Sequence, residues 1–103
     1  MIEIKLPKSI KVGGFDYKID ISLRRDKQLK DNDNWGEHSG RNREISIVSD
    51  CSPQQFSSTF IHEALHAVDC VYQQSELTDK QVSALSHGLH QVLEQLKIRF
   101  VKD

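Results

Sequence analysis

The stretch Phe60-Ile61-His62-Glu63-Ala64-Leu65-His66-Ala67-Val68-Asp69 decides how this chain is organised. Residues four apart lie one above the other on an α-helix, so His62 and His66 would present two imidazoles to one point, with Glu63 beside them. The residues around this polar trio are mostly apolar, which predicts a largely buried helix. Buried polar side chains need partners, and two neutral imidazoles at this spacing suit a divalent metal ion.

The order of the three polar residues fits a particular chemistry. His62 and His66 would supply two metal ligands, and Glu63 could accept a proton from a water activated by the metal, as in the His-Glu-x-x-His motif of zinc metallopeptidases. The competing interpretation is a pair of structural histidines, because a pattern with three fixed positions also occurs by chance. The apolar surroundings of the trio favour the metal site.

Length and composition limit what such a site could serve. The chain has 103 residues, which is enough for a single domain over residues 1–103 with one modest core. Its 14 basic and 15 acidic residues give a formal net charge of -1, so no overall field attracts nucleic acid or an anionic membrane. No run approaches the length of a membrane span and the start does not resemble a signal peptide, so we expect a cytoplasmic protein.

Two cysteines lie at opposite ends of the motif region. In a chain without an export signal, Cys51 and Cys70 are expected to be free thiols rather than a disulfide. Cys70 continues the four-residue spacing of His62 and His66, but a helix rises roughly 12 Å between His62 and Cys70, which is too far for both to bind one ion. We therefore interpret Cys70 as a packing residue.

Alternating apolar and charged residues predict strands near residues 2–6, 15–21 and 44–48. Gly13-Gly14 forms a turn after residues 10–12, so this run and residues 15–21 should form an antiparallel hairpin. If the strand at 44–48 lies at a sheet edge, an extended peptide could pair with it, whereas a strand paired on both sides could not accept one. The polar residues 24–43 are expected to form a loop that Trp35 anchors onto the core.

Two helix starts follow the third strand. Ser52-Pro53-Gln54-Gln55 predicts a helix from residue 53 to about residue 72, and Thr78-Asp79-Lys80-Gln81 begins a second one with apolar residues at helical spacing. The short connection between them predicts an antiparallel helical hairpin. The predicted fold class is therefore α+β, with a small antiparallel sheet of about three strands packed on the hairpin that carries the motif.

A third protein ligand is needed, and the sequence offers Glu76, Asp79, His87 and His90. On the second helix His87 lies opposite the apolar stripe, which indicates a solvent-facing side chain, whereas Asp79 and His90 lie at its flanks. Asp79 would also stabilise the first helical turn without a metal. Glu76 has an ordinary interpretation as a loop carboxylate, and an antiparallel return could bring His90 opposite the motif.

Residues 45–48, the motif helix and residues 77–89 together resemble the small zinc-metallopeptidase-like proteins of bacteriophages and mobile elements. These proteins are similar to minimal gluzincins and more distantly to the ImmA/IrrE metallopeptidase family. The resemblance covers roughly residues 35–96. It implies that His62 and His66 bind zinc, that Glu63 is the general base, and that a carboxylate on the following helix completes the site. Asp79 matches that carboxylate, one methylene shorter than the usual glutamate.

The resulting hypothesis is a zinc-dependent metallopeptidase that hydrolyses a peptide bond in a peptide or protein substrate. Zn²⁺ held by the two histidines and Asp79 would activate water, and Glu63 would accept and then deliver the proton. An oxyanion stabiliser is also required, for which Tyr72 and His90 are candidates. The alternative is a non-catalytic, zinc-stabilised phage-type protein that binds a partner protein, and a closed four-ligand site would favour it.

Overall fold

The structure, a computed structural model, describes residues 1–102, and this part of the chain forms three helices and six strands. The predicted α+β class is confirmed. The elements follow one another as β1 (Ile2–Lys5), β2 (Ser9–Val12), β3 (Phe15–Asp20), α1 (Leu23–Asp31), β4 (Gly36–Ser39), β5 (Glu44–Ile47), α2 (Pro53–Gln73), α3 (Asp79–Gln95) and β6 (Ile98–Val101).

The strands form two sheets, not the single antiparallel sheet that the sequence predicted. A four-stranded sheet has the order β2-β3-β5-β4, and a separate two-stranded sheet joins β1 to β6. The expectation was wrong for residues 2–6, because β1 pairs in parallel with the last strand, with Ile2 opposite Ile98. It was also wrong for direction, because β3 and β5 are parallel, with Lys18 opposite Glu44. Alternation along a strand specifies which face is buried and does not specify the neighbouring strand.

The hairpin predicted around Gly13-Gly14 is confirmed. Strands β2 and β3 pair antiparallel, and Val12 lies opposite Phe15 across the turn. Both glycines have positive φ angles, 59° and 84°, which other residues adopt only with strain. The two-residue turn therefore fixes this register locally.

The polar segment predicted as a loop contains both α1 and β4. Ser22 caps α1 by accepting a hydrogen bond from the backbone N–H of Arg25. Only one apolar residue of α1, Leu29, is buried, so hydrophobic periodicity did not reveal this helix. The buried carboxylate of Asp26 accepts hydrogen bonds from Ser49 and ties α1 to the segment after β5. Strand β4 has no large apolar residue and exists through its pairing with β5.

The two longer helices begin where the capping signals predicted. Ser52 accepts a hydrogen bond from the N–H of Gln55 at 3.1 Å, and Thr78 with Gln81 forms a complete capping box. His62 of α2 contacts Ser86, whereas Asp69, further along α2, contacts Leu77, before α3. The chain therefore turns back, and α3 runs along α2 in the opposite direction.

The core lies mainly between the four-stranded sheet and α2. The sheet contributes buried apolar side chains that meet the buried face of the helix; the buried cluster includes Tyr17, Ile19, Ile45, Ile47, Phe56, Phe60, Ile61 and Ala67. Strand β6 covers another side of α2, where Phe60 and Phe100 pack with ring centroids 4.9 Å apart. This arrangement buries the middle of α2, where the motif lies.

Two further findings concern the membrane and the cysteines. Within residues 1–102, no helix has the length and apolar character required to cross a bilayer. Cys51 and Cys70 are free thiols, as predicted. Cys70 packs against the backbone at Gly40, where an added Cβ would lie only 2.8 Å from its sulfur.

Candidate metal centre

His62, Glu63 and His66 lie together in the middle of α2. Each offers one ligand atom, and these three atoms lie within 4.8 Å of one another, which is close enough for the group to hold a metal ion. The two imidazole rings have centroids 4.9 Å apart and planes inclined at 70°. The structure thus brings together the three residues that the motif indicated, through the spacing of one helical turn.

A hydrogen bond from α3 orients His62. The Nδ1 atom of His62 lies 3.2 Å from the hydroxyl oxygen of the fully buried Ser86. That hydroxyl donates its only hydrogen to the carbonyl of Ser83, so its oxygen must accept from Nδ1–H. The Nε2 atom of His62 is then unprotonated and free to bind a metal, which is the usual role of a hydrogen-bonded ligand histidine. Burial and the nearby His66 also lower the pKa of His62, which favours its neutral, metal-binding form.

Glu63 stands beside the two histidines on the buried side of α2 and is only 7% exposed. Burial raises the pKa of its carboxyl from 4.5 to about 7, and the negative charges of Glu37 and Asp79 add to this effect. A carboxyl group with a pKa near neutrality can both accept and release a proton at neutral pH.

Gly36 allows strand β4 to lie directly against this part of α2. A Cβ at this position would lie 2.5 Å from a methyl carbon of Thr59, 2.9 Å from the carbonyl oxygen of Ser46 and 3.1 Å from Cγ of Glu63. Two of these atoms belong to the backbone or to a β-branched side chain, which have little freedom to move. The glycine is thus required for the close approach that covers Glu63.

His38, also on β4, forms part of the surroundings of the metal centre. Its ring stacks on that of His66, with centroids 6.2 Å apart, and on the ring of Tyr17, with centroids 5.6 Å apart. The Tyr17 hydroxyl lies 3.3 Å from Nε2 of His38. Sequence reasoning missed His38, because it lies in a polar segment with no periodicity, and only the pairing of β4 with β5 brings it to the site.

The candidates for a third ligand occupy different surroundings. Asp79, the first residue of α3, has a carboxylate oxygen 3.9 Å from Nε2 of His66, and its side chain is 98% exposed. Glu76 is exposed in the connection between the helices. His90 is partly buried, and its Nε2 atom has no hydrogen-bond partner within residues 1–102. Of the four candidates, Asp79 is the one whose carboxylate is shown close to a motif histidine.

His87 is exposed, as its helical phase predicted, and it also lines a pocket at the motif. This pocket has a volume of about 280 Å³ and includes His62 and Glu63 in its wall. Trp35 forms another part of the wall and is 53% exposed, so the prediction that it anchors a loop onto the core was wrong. Tyr72, by contrast, is exposed near the turn at Gly13 and does not line this pocket.

The free edge of the four-stranded sheet lies next to the metal centre, but it belongs to β4. Strand β5 pairs with β3 on one side and with β4 on the other, so residues 44–48 cannot accept a further strand. Strand β4 is the outer strand of the sheet, and it contacts α2 through Gly36. Of the two alternatives that the sequence left open for residues 44–48, the structure therefore shows the strand paired on both sides.

No protein-family model matches this chain, and the searches of curated proteins and of solved structures also found no match.

Proposed function

We propose that this protein is a zinc-dependent metallopeptidase that hydrolyses a peptide bond, with Glu63 as the general base. The observation that carries the proposal is the convergence of His62, Glu63 and His66 within 4.8 Å, with His62 and Glu63 in the wall of a pocket. Two imidazole ligands on one helix face, with an adjacent carboxylate as base and room for a substrate, are typical of a catalytic zinc site. We also propose that this chain is related to the small gluzincins that its motif resembles.

The donor set fits zinc in its chemistry as well as in its spacing. His62 is held in the tautomer that leaves Nε2 available, and the lowered pKa of its ring favours the neutral form. His66 and Asp79 would complete the protein ligands, since their ligand atoms are already 3.9 Å apart. Bound zinc supplies Lewis acidity toward a water molecule and a peptide carbonyl.

The residues of this chain supply the proton transfers. Glu63, buried beside the two histidines, can take a proton from the attacking water and pass it to the leaving amine. The wall of the pocket also includes His87, whose ring N–H could donate a hydrogen bond to the oxygen that becomes negative during the reaction. Tyr72 is a poor candidate for that task, because it lies near Gly13.

The substrate would lie as an extended segment along β4. The outer edge of this strand offers backbone donors and acceptors beside the motif, and an added strand obtains its affinity from main-chain hydrogen bonds. Substrate side chains beyond the segment paired with β4 would enter the pocket beside Trp35. A peptide or an unfolded segment of a protein fits this surface better than a compact folded substrate.

The test is a screen of extended peptides at neutral pH with added zinc, comparing wild type with Glu63→Gln. We expect wild type to cleave a subset of the peptides and the variant to lose roughly 100- to 10,000-fold in rate. Zinc content should be equal in both proteins, because the general base is not a ligand. Glu3→Gln, which changes an exposed glutamate of β1, is the matched control and should cleave like wild type.

Two outcomes would contradict the proposal. Equal cleavage by wild type and Glu63→Gln would remove the general-base role. If both proteins bind zinc, neither cleaves any peptide, and both recover the same partner protein, the non-catalytic alternative would replace the peptidase.

A further inference from the structure

The outer side of α3 carries four apolar side chains that the fold leaves uncovered. Leu85, Leu89, Val92 and the C-terminal cap residue Leu96 are each between 44% and 61% exposed. With 3.6 residues per turn they fall within about 60° of the helix circumference, so they form one continuous surface, called here the α3 stripe. The α3 stripe does not face α2. Ser86, which is fully buried, lies on the side of α3 that does.

The α3 stripe has no charged neighbours on its own helix. The ionisable side chains of α3 lie more than about 100° around the helix from the centre of the stripe. They are Asp79, Lys80, His87, His90 and Glu94. The stripe is bordered instead by Gln81, Gly88 and Gln95, all exposed, and a Cβ at Gly88 would meet no atom within 4 Å. A solvated helix face normally carries charges, so this composition is typical of a contact surface.

We propose that the α3 stripe pairs with the α3 stripe of a second copy of this chain, with the two helices antiparallel about a two-fold axis. The apolar residues are separated by four, three and four positions, a spacing that is the same in both directions. In the antiparallel pair, Leu85 packs against the partner subunit's Leu96, and Leu89 packs against the partner subunit's Val92. Both ends of the contact are then filled by the same pair of side chains.

The distribution of charge favours a second copy over an unrelated protein. Near a two-fold axis each side chain meets its own counterpart, so any charged residue there would face a like charge. A stripe without charges avoids this repulsion. The opposed directions of the helices also place the positive end of each helix dipole beside the negative end of the other.

The exposed area is sufficient for a weak dimer. Four side chains that are about half exposed offer on the order of 400 Å² of apolar surface, the size of a functional patch on a small protein. Two copies would together bury roughly 800 Å² of apolar surface. Homodimer interfaces are roughly 65% apolar, so the whole contact would cover about 1,200 Å², the lower limit for a specific interface. We therefore expect a reversible dimer with a dissociation constant in the micromolar range.

Sedimentation velocity of the full chain at a series of concentrations tests the proposal. Wild type should change from monomer to dimer over the micromolar range. Leu89→Glu should weaken the dimer at least about tenfold, because the contact would then bury an unpaired carboxylate in each subunit. Leu23→Glu is the matched control: it introduces the same charge at a leucine that is 81% exposed on α1, and it should dimerise like wild type.

A mixture of two variants tests the antiparallel register. Leu89→Glu and Val92→Lys should each be monomeric alone at concentrations where wild type dimerises. Mixed together they should form a heterodimer, because the introduced glutamate of one chain meets the introduced lysine of the other, while the second Leu–Val contact is retained. Below the concentration at which wild type dimerises, thermal melts of both variants should match wild type, since the two positions are exposed within one chain.

Several results would overturn the proposal. A wild-type monomer at the highest concentration would assign the stripe to a different occupant. Equal weakening by Leu89→Glu and Leu23→Glu would indicate a general effect of charge. A mixture that stays monomeric would exclude the antiparallel pairing even if wild type dimerises.

Discussion

The α2 side and the α3 side of the candidate metal centre differ in how firmly they are held. On α2, Glu63 is buried beneath β4 and the two histidines are fixed by packing and by the hydrogen bond to Ser86. On α3, Asp79 is almost fully exposed in the first turn of its helix. The α2 side therefore has its geometry before any ligand arrives, whereas the α3 side can rearrange around one. Changes on the α2 side should affect both folding and metal binding, and changes on the α3 side should affect metal binding alone.

The largest expected effect comes from removing a histidine of the α2 side. His66→Ala should reduce bound zinc to below about half an equivalent, because one imidazole and a carboxylate are a poor zinc site. A zinc ion that binds only the folded chain would, at a thousandfold excess over its dissociation constant, stabilise wild type by about 4 kcal/mol. Thermal melts with and without chelator should therefore differ for wild type and coincide for His66→Ala. A wild-type melt that ignores the chelator would contradict the prediction.

The second effect concerns the buried charge of Glu63 in the metal-free protein. Its pKa is about 7 in the folded state against 4.5 as the ordinary value, a difference that corresponds to at most about 3 kcal/mol. Because the folded pKa is the higher one, the unfolded state loses its proton first, and the folded state loses stability as the pH rises from 4.5 to about 7. Glu63→Gln should therefore stabilise the metal-free protein at pH 8 and have little effect below pH 4.5.

Denaturant unfolding with chelator at several pH values measures this difference directly. Glu76→Gln, which makes the same change of a carboxylate to an amide at an exposed position, is the matched control. If the free energy of unfolding of Glu63→Gln follows that of wild type at every pH, the carboxyl is not held in the buried environment described here.

The third prediction addresses the α3 side. Asp79→Ala should weaken zinc binding about 100-fold, or about 2.7 kcal/mol, with a melting temperature in chelator that falls only slightly through the loss of an acid from the first helical turn. The packing of the fold should be unaffected because the side chain is exposed and its contact with His66 is 3.9 Å long. His87→Ala, another exposed residue of the same helix, should leave zinc affinity close to that of wild type. Competition with a fluorescent zinc chelator distinguishes these outcomes, and equal affinity for wild type and Asp79→Ala would return the role to Glu76 or His90.

The smallest effect is expected at Ser86, which belongs to α3 but acts on α2. Ser86→Ala removes the acceptor for Nδ1–H of His62 and should lower zinc affinity about tenfold. Ser86→Thr keeps the hydroxyl and should retain more of the affinity if the methyl group can be accommodated. An unchanged zinc affinity in Ser86→Ala would show that packing alone orients His62. The α2 side of the site would then keep its geometry without help from α3.

Much of this site follows from local sequence. The placement of His62 and His66 is a consequence of the helical repeat, and the starts of α2 and α3 are specified by the side chains of Ser52 and Thr78, which bond to backbone groups within three residues. The hairpin at Gly13-Gly14 is also local, because the turn geometry determines the pairing of its strands. Such features depend on residues close in the chain, so pattern and spacing were sufficient to predict them. The cap at Ser22 belonged to the same kind of signal and was overlooked, because α1 buries so little apolar surface.

Other features were decided only by the tertiary structure. The first strand pairs with the last one, the edge of the sheet falls on the polar strand β4, and His38 meets His66 through that strand. The raised pKa of Glu63 likewise depends on the cover that Gly36 allows. Each of these facts depends on contacts between segments far apart in the chain. The sequence around a strand or a carboxyl does not indicate which distant segment it will contact. Strand pairing and desolvation depend on which surfaces meet when the chain folds.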